Sequence, residues 1–102
     1  MNLTKEEALA LGIKIMTDIN FLYDVNAEIG VKYIEKGEYQ EYNKWLISFP
    51  YGLEDFGRYI YGFIDINDDS KIAKRKISIR NGSINLGYDE EKDKYFVQSK
   101  RP

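Results

Sequence analysis

The chain has 102 residues, 43% of them hydrophobic and 31% charged, with a formal net charge of −2, no cysteine and no histidine. Disulfides, thiolate metal sites, imidazole zinc ligands and the usual near-neutral general base are thereby excluded, which removes serine or cysteine triads and zinc hydrolases from consideration. One core of ordinary size suits the length, and no apolar run approaches the roughly 18 residues of a membrane span.

The small net charge conceals a gradient. Thirteen acidic residues face six basic ones up to Asp69, and four acidic residues face nine basic ones from Ser70 onward. Pairing of the two regions in one sheet would neutralise them across strands, whereas separation would leave opposite fields on opposite edges. The opening MNLTKEEAL lacks a basic segment followed by an apolar one, so a soluble, cytoplasmic chain is expected.

Thr4 and Glu7 have the spacing of a capping box, so a helix begins there. Ala8, Leu11, Ile15, Ile19 and Leu22 recur at three- and four-residue steps and predict an amphipathic helix over residues 4–24. The next segment fits two periods. Ile29, Val31 and Tyr33 alternate as in a strand, while Ile29 and Tyr33 also stand one helical turn apart. Gly30 and the β-branched residues favour strands over 29–36 and 39–50, turning near Lys36-Gly37-Glu38, with a second helix as the alternative.

Trp45, Ile47, Phe49 and Tyr51 share a face of the second strand, and Pro50 is expected at its end because it cannot donate to a ladder. An acidic stretch between Gly52 and Gly57 reverses the chain. Over 58–66, Tyr59, Tyr61 and Phe63 form one face and Ile60, Ile64 and Ile66 the other. Asn67 to Ser70 turns into a basic strand over 71–80, where the odd spacing of Ile72 and Ile77 requires a bulge near Ala73 to Arg75. Asn81-Gly82 predicts a two-residue hairpin leading into a strand over 83–88. A final strand over 94–98 precedes a frayed SKRP. The fold class is therefore α+β: an N-terminal amphipathic helix packed on one face of a four- to six-stranded antiparallel meander, in a single domain.

Candidate chemistry is sparse. Asp65 to Asp69 begins like a calcium loop, but Ser70 and Lys76 occupy the positions that need glycine and a bidentate glutamate, so a hairpin turn is the better account. Glu54 and Asp55, as neighbours, lack the separation of paired catalytic carboxylates. The basic strand from Lys71 to Arg80 has no ribonucleoprotein motif beside it, and the net negative charge disfavours nucleic acid. No cofactor, metal ion or catalytic residue is expected. What remains is a partner-binding segment, Tyr51, Glu54, Asp55, Phe56, Tyr59 and Tyr61, whose aromatic and acidic make-up suits a basic protein surface. The competing assignment tucks Leu53 and Phe56 into the core beneath a solvated turn.

The TKEEAL start, a helix of about five turns, the tryptophan-led WLISFPYG and a closing meander of short strands resemble, in outline, small bacterial immunity proteins with a cystatin-like or PepSY-like arrangement. An Ile-, Asn-, Lys- and Tyr-rich composition fits a bacterial or phage origin. The resemblance implies a protein that neutralises a cognate toxin by binding it, without catalysis, and it carries no binding residues over. The alternatives are a homodimer that covers its second apolar sheet face with its own copy, and a small-ligand-binding domain.

Overall fold

In a computed structural model, which describes residues 1–24, 26–53, 59–80 and 82–101, the capping box forms as the spacing predicts. The Thr4 hydroxyl accepts from the Glu7 amide at 3.1 Å and the Glu7 carboxylate accepts from the Thr4 amide at 2.9 Å. That backbone donor holds the Glu7 carboxyl below its ordinary pKa. Helix α1 runs over Lys5–Asp18 and buries Ala8, Gly12, Ile15 and Met16.

The helix ends six residues before the expected Asp24. Asn20 adopts a left-handed φ of 56°, its amide donates to Thr17 O at 3.1 Å, and the Phe21 amide donates to Met16 O at 2.9 Å. These two bonds form a Schellman motif, with Asn20 in the place usually taken by glycine. Beyond it the side chains no longer follow helical spacing. Phe21 packs edge-on against Phe49 and Tyr51, with centroids 5.3 and 5.6 Å apart, and Tyr23 meets Phe49 at 6.3 Å. Leu22, between them, is 88% exposed. The Asp24 amide donates to Pro50 O at 2.9 Å, which ties this segment to the sheet.

Six strands follow: β1 Gly30–Ile34, β2 Lys44–Leu53, β3 Tyr59–Asn67, β4 Ile72–Ile79, β5 Gly82–Asp89 and β6 Lys94–Arg101. They form one antiparallel sheet in chain order, with α1 on one face. Strand alternation sends Trp45, Ile47, Phe49, Ile64, Ile66, Ile77, Ile84 and Leu86 toward the helix, where Ala8, Ile15 and Met16 complete the core. Each large aliphatic side chain buried this way contributes about 1.5–3 kcal/mol. Gly12 permits close helix–sheet approach, since a Cβ there would lie 3.1 Å from Ile47 Cγ2. Gly62 does the same for the Phe49 ring, whose Cζ would stand 2.5 Å from an added Cβ.

The segment with two candidate periods is the strand β1, not a second helix. Residues 39–43, however, are not in β2. Gly37 and Gln40 bridge each other, and the Asn43 side chain accepts from the Lys36 amide at 2.7 Å and donates to Asp69 at 3.1 Å. Asn43 thus ties the connection to the turn after β3, and Tyr39 is left exposed. Pro50 also departs from expectation. It sits inside β2, three residues before its end, where Pro50 pairs with Tyr61 and Gly52 with Ile60, so Tyr51 is the extra residue of a bulge. A bulge is one of the few places where a ladder tolerates proline.

On β4 the irregularity falls where the isoleucine spacing requires, since Ile64 pairs with Ile77 but Ile66 with Ala73. The inward residue is nevertheless Ala73, and Ile72 is 61% exposed. Three β4 residues, Lys74 to Lys76, oppose Asp65 alone, so an even step of four keeps Ala73 and Ile77 on the buried side. Gly82 belongs to β5 and pairs with Ile79, so the reversal falls one residue earlier than the expected hairpin; Asn81 lies outside the described residues. The expected fraying of Ser99 to Arg101 does not occur, because these residues pair with Asn85, Ile84 and Ser83.

Two aspartates fasten the helix to the sheet. Asp68 is buried and accepts from the amides of Asn2 at 2.7 Å and Leu3 at 2.8 Å and from Trp45 Nε1 at 3.0 Å. Burial alone would raise its pKa, but these donors outweigh that effect and hold it below the ordinary value. Asp18 accepts from Lys14 Nζ at 3.0 Å and from the Tyr95 amide of β6 at 3.1 Å. Its carboxyl is likewise lowered, the burial penalty being overcome by these partners. Lys14 Nζ also donates to Asp93 O at 2.7 Å.

Candidate functional site

Of the six residues expected to meet a partner, Tyr51, Tyr59 and Tyr61 can be placed; Glu54, Asp55 and Phe56 lie outside the described residues. The three tyrosines do not play one role. Tyr51 is half-buried, its ring against Phe21 and Phe49 and its hydroxyl accepting from the Arg80 amide at 3.0 Å. It is held from both ends and serves chiefly as a wall.

Tyr59 and Tyr61 project from β3 onto the sheet face opposite the helix, each 43% exposed, and Phe63 follows on the same face at 39%. The Tyr59 and Tyr61 rings meet edge-on with centroids 6.3 Å apart. Phe63 is paired with Ser48 on one side and Ser78 on the other. These small neighbours leave the ring's flanks open. One step further along, Asp65 is paired with Lys44 at 3.1 Å, which ends the aromatic stripe with a neutralised ion pair. The same face carries Lys76 and Asn85, cross-strand partners, and then Phe96, whose ring lies over Gly87.

Tyr51 and Tyr59 come together at the rim of a cleft of about 290 Å³ that is also lined by Leu22, Tyr23, Asp24 and Gly52. The Tyr59 hydroxyl donates to Asp24 Oδ2 at 3.2 Å, and Asp24 Oδ1 accepts from the Asn26 amide at 3.0 Å. The hydrogen bond to Asp24, with the carboxylate's charge, raises the Tyr59 pKa, so Tyr59 stays a protonated donor through the neutral range. The volume is at the lower end of ligand pockets, enough for one side chain. Among the described residues no group of three or more acidic side chains is placed to hold a metal ion, and no helix is long and apolar enough to cross a membrane.

Sequence reasoning left Phe63 out of the site, although it shares the face of Tyr59 and Tyr61. It also missed Leu22, Tyr23 and Asp24, because the apolar spacing from Ile15 and Ile19 continues to Leu22 and carries the expected helix through Asp24. Asn20 was the signal available, as a residue that readily takes positive φ. Comparison with protein-family models, with curated proteins and with solved structures finds no match.

Proposed function

We propose that the chain is a non-catalytic protein-binding domain that engages its partner through Tyr59, Tyr61 and Phe63 and the adjoining cleft. The observation that carries this reading is the stripe itself: three successive outward positions of an interior strand bear aromatic rings that remain about two-fifths exposed. Such rings supply large, rigid contact area at low entropic cost, and tyrosine is enriched where binding energy concentrates. The resemblance of the opening helix and tryptophan-led strand to small immunity proteins gives the reading its specific form, a protein that neutralises a cognate toxin by direct contact.

The test is co-expression with the product of the adjacent gene, scored by growth, together with calorimetry on the purified pair. Tyr61→Ala with Phe63→Ala should weaken the complex by about tenfold or more, since each truncation of a central anchor costs on the order of 1–2 kcal/mol. Full neutralisation by this double variant, with Trp45 fluorescence unchanged, would reject the assignment. The same exposed stripe favours a second reading, in which another copy of the chain covers it. Sedimentation equilibrium separates the two, because only a self-associating chain changes its mean mass on dilution and loses that behaviour in the double variant.

A further inference from the structure

The cleft beside the stripe has a composition of its own. Three of its walls are tyrosine rings, from Tyr23, Tyr51 and Tyr59, and among the described residues that line it Asp24 alone carries a formal charge. An aromatic enclosure around one carboxylate favours a cation, because ring faces attract positive charge and the carboxylate completes the pairing. The carboxylate is also pre-positioned. One oxygen accepts from the Asn26 amide and the other from the Tyr59 hydroxyl; a carboxylate offers about four acceptor sites, and the described residues take two of them. A guanidinium, which is planar, stacks on aromatic faces and donates in parallel pairs, uses these features more fully than an ammonium does.

Two other clefts lack this combination. One, of about 310 Å³ beside β6, is lined by Asp18 and Asp89 together with Lys92 and Lys94. Asp18 is already occupied by Lys14 and the Tyr95 amide, Asp89 Oδ1 by the amides of Glu91 and Lys92, and the two lysines leave no net negative charge to draw a further cation. The other, of about 430 Å³, is lined by Tyr42, Ile72 and Lys74 among others, and none of the described residues that line it is a carboxylate.

We infer that the Tyr23–Asp24–Tyr51–Tyr59 cleft receives an arginine side chain of the partner protein. The inference rests on the protein-binding reading above and adds the chemistry of the residue that anchors the complex. Leu22, exposed on the rim, covers the aliphatic stem of the inserted side chain, and Asp24 takes its head.

The test uses three small probes, the N-acetyl amides of arginine, lysine and citrulline, titrated against the whole chain and followed by amide NMR shifts of Asp24, Asn26, Gly52 and Tyr59. The expected result is saturable shifts with the arginine probe, much smaller ones with neutral citrulline, and loss of binding by about tenfold or more in Asp24→Asn. Tyr59→Phe keeps the wall and releases one carboxylate oxygen, so it should bind the arginine probe at least as well as the parent. Equal binding of citrulline, no saturable shift, or preference for lysine over arginine would overturn the inference. Its failure is separable from that of the parent reading. A complex broken by Tyr61→Ala and Phe63→Ala but unaffected by Asp24→Asn removes the arginine anchor and keeps protein binding; arginine-specific shifts without a protein partner leave the cleft's preference standing alone.

Discussion

The two faces of the sheet are built from different kinds of side chain. The helix-covered face is largely aliphatic, with Ile47, Ile64, Ile66, Ile77 and Ile84 essentially inaccessible. The open face carries Tyr59, Tyr61, Phe63 and Phe96 among serine, asparagine and lysine. Isoleucine fills space densely and suits a surface that never meets water, whereas tyrosine combines apolar area with a hydroxyl that stays solvated. Stability therefore concentrates on one face, and the aromatic stripe proposed to meet a partner lies on the other.

That division can be broken most directly by truncation on each face. Ile64→Ala should cost about 2–5 kcal/mol in urea unfolding, through lost burial and a cavity, while Tyr61→Ala should stay within about 1 kcal/mol. Equal losses would show that the open face is a second core. The next effect is electrostatic. Because the Asp68 carboxyl is lowered in the folded chain, the stability it contributes is fully present above the unfolded value of about 4 and is lost as pH falls through the folded value. Asp68→Asn should cost about 1–3 kcal/mol at neutral pH, since the amide group cannot accept from all three donors. It should also flatten the acid limb of a pH–stability curve; an unchanged acid limb would assign that limb to other carboxylates.

A smaller effect is expected at the helix end. Asn20→Gly should be neutral or slightly stabilising and Asn20→Ala should cost about 1 kcal/mol, measured by thermal unfolding, because a Cβ without a local hydrogen-bonding group is unfavourable at this φ. The smallest concerns the acidic stretch between β2 and β3. Glu54→Lys with Asp55→Lys should slow association with a basic partner several-fold at low salt and leave the dissociation rate nearly unchanged, as charges at an interface rim do. Stopped-flow measurement at two ionic strengths checks this.

Alternation and capping chemistry were legible in the sequence. Thr4 and Glu7 announce the helix start, and the period of two in β3 by itself separates Tyr59, Tyr61 and Phe63 from Ile64 and Ile66. The irregularity in β4 was foreseen as well; what escaped was how other local exceptions override a period, and which residue that irregularity turns inward. Asn20 stops a helix whose apolar spacing continues to Leu22. Pro50 enters β2 because Tyr51 bulges. Ala73 displaces Ile72 from the core because three residues oppose Asp65. The stripe was accordingly readable from pattern, while the cleft depended on a helix end that pattern alone extends too far.

The contacts of Lys14 with Asp93 and of Asp18 with Tyr95 span nearly the whole chain. The sheet is laid down in the sequence in which a ribosome delivers it, and each new strand needs only its immediate predecessor, so hairpins can add one after another with short loop closures. The helix is different: its C-terminal end waits for Asp93 and Tyr95, more than 75 residues later. Until that stretch has been synthesised the nascent chain can hold α1 only against its earlier strands, so the bonds that fix the helix end are the last of its contacts to become available.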